Sequence, residues 1–111
     1  MKIRNQVQSA LESEARDLFL RTLGHRLGIS AREIFASGNP DGLSQARACN
    51  EMMIAIWSQL DVAKSAGVAG YPDSEFLAIL LSKADIGGAR PHLRSALESA
   101  LTFVDGIIGA G

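Results

Sequence analysis

The chain has 111 residues, 47% of them apolar and 21% charged, which excludes intrinsic disorder and fits a single domain over residues 1–111 with a core of its own. Its net charge of −1 excludes a bulk electrostatic pull on nucleic acid. A lone cysteine, Cys49, excludes an internal disulfide, and with no N-terminal signal region and no apolar run long enough to span a bilayer the expected setting is the cytoplasm.

Residues 1–27 place Ile3, Val7, Leu11, Ala15, Leu18, Leu23 and Leu27 at helical spacing, and Gly28 stands where such a helix would end. Ser30 with Glu33 three residues on reads as a capping box, which predicts a short connecting helix over 31–37, stopped by the run Ser37, Gly38, Asn39, Pro40. Asn39 as a cap and Pro40 in the first turn then open a long helix, predicted to run toward Gly67. Its buried face is read as Leu43, Ala46, Cys49 or Asn50, Met53, Ile56, Trp57, Leu60 and Ala63. Met52 and Ile54 fall off that face, so residues 52–57 are apolar nearly all the way round. Such a segment is either a central helix or one with a second buried side.

The loop "GVAGYP" leads to a helix opened by Pro72, with Asp73 and Glu75 in the first turn, where carboxylates suit the helix dipole. Phe76, Leu77, Leu80, Leu81 and Ala84 form its stripe, and Gly87 and Gly88 end it. Pro91 begins the last helix, with Leu93, Leu97, Leu101, Val104 and Ile108 on one face. The pentapeptide Ser-Ala-Leu-Glu-Ser occurs at 9–13 and again at 95–99, but its flanks do not align and it marks no repeat. No segment alternates with the period of a strand. The sum is an all-α chain, an up-and-down bundle of four main helices plus one short connecting helix.

Charge is spread unevenly, with six bases against four acids up to Gly38 and five against eight from Asn39 onward. The basic part contains a stretch, residues 21–40, that resembles the helix-turn-helix of DNA-binding proteins. Gly24 stands where the two helices of that motif touch, Leu27, Gly28 and Ile29 make its turn, and Ile34 supplies a buried aliphatic in the second helix. The resemblance implies base contacts from Arg32 and phosphate contacts from Arg21 and Arg26, beside His25. The chain departs from the motif at Ser37, where an aliphatic residue is wanted, and at Gly38–Pro40, which limits the second helix to about two turns.

Other chemistry is thin. His25, His92 and Cys49 share no ligand spacing, so no metal is expected. No glycine-rich phosphate loop or nucleophile-base arrangement is present, no cofactor is implied, and the chain is expected not to be an enzyme. Cys49 reads as a small core residue. Arg47 and Glu51, four apart, can pair on one helix face, and Asn50 between them can set register across a helix-helix contact.

The expected function is protein-protein interaction by a small helical protein, first of all with itself as a homodimer. The candidate interface is the apolar surplus of Met52, Ile54, Ile56 and Trp57 with Ile107 and Ile108 near the C-terminus. The alternative is a DNA-binding regulator using Arg21, Arg26 and Arg32.

Overall fold

The computed structural model describes residues 3–60 and 71–110, and at 3, 4, 73 and 107–110 the backbone alone. Among the described residues the fold is all-α: helices α1 (Ile3–Glu12), α2 (Arg16–Ala36), α3 (Leu43–Gln59), α4 (Asp73–Gly87) and α5 (Arg90–Ala110), with a 3-10 turn at Pro40–Gly42 leading into α3. The all-α bundle read from the sequence is present, but the short helix lies elsewhere.

The first break falls at residues 13–15 rather than at Gly28. The Ser13 hydroxyl donates to the Ala10 carbonyl at 2.9 Å and accepts the Ala15 N–H at 3.1 Å, so it draws the backbone out of the helix for one turn. Helix α2 then runs without interruption through Gly28, Ile29 and Ser30 to Ala36. Ser30 is therefore interior to a helix and caps nothing, and no separate helix over 31–37 exists. The sequence marks Gly28 as a stop, but it sits against α3, where a Cβ would come within 3.0 Å of the Met53 sulfur. A glycine within a helix costs about 1 kcal/mol relative to alanine. Here the missing side chain lets two helices approach, and packing along that contact offsets the cost.

The real stop of α2 is the one the sequence marks at 37–40. Gly38 takes the left-handed φ of 69°, the Asn39 side chain accepts the Asp41 N–H at 3.0 Å, and Pro40 opens the 3-10 turn. Helix α3 ends at Gln59, short of the predicted length, because Leu60 is extended; positions 61–70 of the predicted helix and loop lie outside the described residues. Gln59 is buried, and its side chain accepts the Tyr71 N–H while its carbonyl accepts from Arg16 Nη2 at 2.8 Å. That pair of bonds ties the end of α3 to the start of α2 and the approach to α4.

Helix α4 closes as its two glycines predict. Gly88 is left-handed at φ 70°, and the Ala89 N–H reaches back to the Ala84 carbonyl at 2.7 Å, the bond that satisfies a helix's last carbonyls at such an end. The stripes hold as well: Phe76, Leu77, Leu80 and Ala84 of α4 and Leu93, Leu97, Leu101 and Val104 of α5 are buried, with Leu81 half-buried, while the side chain of Ile108 lies outside the described residues.

Helix α3 is central. It packs on α2 along one side and on α4 along the other, and α5 packs behind α2. Gly24 lies against Ile56 and Trp57, Gly28 against Met53, and Gly42 against Ile34, so α2 and α3 run antiparallel. On the other flank Gly87 is pressed onto Ala48 and the Ser44 carbonyl. A Cβ at Gly87 has backbone in its way. Gly87→Ala is therefore expected to destabilise the fold by about 1–3 kcal/mol in urea denaturation. Gly106→Ala on α5, where a Cβ meets nothing within 4 Å, is expected to stabilise it by about 0.5–1 kcal/mol.

Candidate interaction face

The central position of α3 sorts the apolar run at 52–57 into two sets. Met52 and Ile56 are fully buried in the chain's own core, so neither offers surface to a partner, which corrects two of the six expected interface residues. Ile54 is 48% exposed and Trp57 is half-buried on the outer side. The side chains of Ile107 and Ile108 lie outside the described residues.

Leu43, read from the sequence as buried, is 43% exposed. It joins a stripe on α3 that runs Leu43, Arg47, Asn50, Ile54, Trp57, spaced four, three, four and three. Helix α2 carries a matching stripe with the same spacing, Arg21, His25, Gly28, Arg32 and Phe35, and its Phe35 is 53% exposed. This alternation of threes and fours keeps side chains on one line along a helix.

His25, Gly28, Arg32 and Phe35 of the α2 stripe and Asn50 and Trp57 of the α3 stripe line one groove of about 380 Å³. Gly24, Gly28 and Ala31 form its α2 floor, and Asn50, Met53 and Trp57 form its α3 wall. His25, Arg32 and Phe35 stand at the rim. Gly24 and Gly28 hold this floor close against α3, where a Cβ would meet Ile56 at 3.2 Å and Met53 at 3.0 Å. Arg32, Arg47 and Glu51 have no charged partner among the described residues, so Arg47 and Glu51 do not form the pair their spacing allows.

The candidate DNA contacts do not converge. Arg21 and Arg32 lie on the outer stripe of α2, whereas Arg26 turns toward α5, beside Glu98 and Phe103. Because α2 is continuous, no turn sets off a recognition helix, and residues 21–36 form one rod. Among the described residues no group of three or more His, Cys, Asp or Glu side chains gathers as a metal site, and no helix is long and apolar enough to cross a membrane.

Compared with protein-family models, with curated proteins and with solved structures, the chain matches none.

Leu43 lies on the exposed face of α3 rather than the buried one, and Phe35 is exposed at the end of α2. The signal that finds both is the spacing of the exposed stripes, which a stop at Gly28 hides for Phe35. Cys49 is fully buried, and burial pushes its thiol above the ordinary value of 9.0. In the native chain Cys49 is expected to resist a disulfide reagent such as DTNB and to react once the chain is unfolded in urea. A raised folded-state pKa means that the protonated thiol favours the fold. Its contribution is full below the unfolded value of 9.0 and is lost as pH rises through the higher folded value, so the urea midpoint should fall at alkaline pH.

Proposed function

We propose that this chain acts by protein-protein interaction, as a homodimer that associates through the α2–α3 face. The observation that carries the reading is a groove lined by exposed Phe35 and half-buried Met53 and Trp57, with Leu43 and Ile54, each more than two-fifths exposed, on the same α3 stripe as Trp57. Large apolar side chains scattered singly mean little, but a contiguous patch with a polar rim marks an association site. Here the nearby polar side chains are Arg32, Arg47, Asn50 and Glu51, and the patch contains a tryptophan and a phenylalanine, the kinds of side chain that dominate interface energies. Two-fold pairs are the commonest assemblies of soluble chains, and a patch whose ridge lies beside its groove suits that symmetry. The proposed setting is the cytoplasm, where a lone buried thiol stays reduced.

Light scattering across a concentration series tests this. The wild-type chain is expected at twice its monomer mass, and Ile54→Glu is expected to weaken the dimer by about tenfold or more, equivalent to about 1.4 kcal/mol, with an unchanged helical spectrum because Ile54 lies outside the core. Phe103→Glu, at an equally exposed phenylalanine on α5 away from this face, is expected to leave the mass unchanged. A wild-type monomer throughout the series overturns the reading.

A further inference from the structure

We propose that the groove is filled by α3 of a second copy, related by a two-fold axis running alongside α3, with Glu51 of each copy meeting Arg32 of the other. The proposal rests on the self-association reading above and specifies its geometry.

Shape comes first. The exposed stripe of α3 is a ridge, and the groove lies immediately beside it on the α2 side. A half-turn about a line between ridge and groove, parallel to both, exchanges them. Each ridge then drops into the other copy's groove, which is how helices pack. The ridge repeats every three and four residues, the spacing that lets two helices stay in contact along their length. Under this symmetry the two copies of Asn50 lie at the same level, where a polar pair within an apolar seam penalises any shifted register.

Charge complementarity selects a second copy over an arbitrary helix. The outer stripe of α2 presents Arg21, His25 and Arg32, and Arg32 has no charged partner among the described residues. Glu51 is likewise without one, and it lies on the α4 side of α3, beside Lys83 and Ile86. The half-turn reverses the order of the helices across the face. It therefore carries the α4 side of the second copy's α3, and Glu51 with it, over α2 of the first. The levels agree too. Gly24 lies opposite Ile56 and Trp57, and Gly28 opposite Met53, so Arg32 falls level with Cys49 and Asn50. Glu51 is one or two residues farther along, an offset of about 1.5–3 Å that an arginine side chain spans. The pair forms twice, once on each side of the axis.

Charge exchange on the full chain tests the arrangement. Arg32→Glu and Glu51→Arg each set like charges together and are expected to weaken the dimer by about three- to tenfold, by sedimentation equilibrium at low salt. The double variant restores the pair in reversed sense and is expected to recover wild-type affinity to within about twofold. Both positions are exposed, so the helical spectrum should not change. A wild-type dimer that Ile54→Glu weakens but charge exchange leaves untouched, or that the double variant fails to rescue, overturns this geometry while the self-association reading stands. A wild-type monomer overturns both and leaves the groove to a helix of a different protein.

Discussion

The approach of α2 to α3 at Gly24 and Gly28 is the constraint on which the rest of this structure depends. At both positions a Cβ would meet the side chains of α3 at 3.0–3.2 Å, the lower edge of what packed atoms tolerate. Two glycines in mid-helix cost about 2 kcal/mol of helix propensity together. What they allow is a helix pair close enough to bury Met52 and Ile56 completely, with α4 closing the far side through Gly87. The aliphatic core then needs little aromatic bulk: Phe19 and Phe76 are its largest members, and most of the remainder is leucine and alanine.

The same two glycines also line the outer groove, between Arg32 and Phe35 on one side and Asn50 and Trp57 on the other. Core and candidate interface therefore share one helix contact. The face shows the mixture expected of a chain that folds alone and associates afterwards: exposed apolar groups large enough to drive contact, and polar groups placed so that a wrong register leaves them unpaired.

Much of the fold was legible in the sequence because its signals were local. The stripes of α4 and α5, the left-handed glycine after α4 and the Asn39–Pro40 entry to α3 follow from periodicity and capping alone. The position of the first break was not, for a reason that lies in glycine itself. A glycine after a leucine-rich turn serves as a C-cap or as a point of close helix approach, and only the partner helix decides between them. At Gly28 the partner is Met53, 25 positions on. A serine among helix formers likewise gave no sign that Ser13 would end α1. With α2 read as two pieces, the line from Arg21 to Phe35 is invisible. The apolar surplus on α3 was legible as a surplus, but its division between core and surface required knowing that α4 covers one flank and that nothing among the described residues covers the ridge at Ile54.

Native-state amide hydrogen exchange at residues 28–33 tests the continuity of α2 most directly. In an unbroken helix these N–H groups bond to the carbonyls of residues 24–29, and a continuous α2 predicts exchange as slow as at Leu23 and Leu27. A turn at Gly28 would free the first N–H groups of a second helix. Fast exchange at Ser30, Ala31, Arg32 and Glu33 beside a protected Leu23 would contradict the continuous helix, and with it the groove and the face built on it.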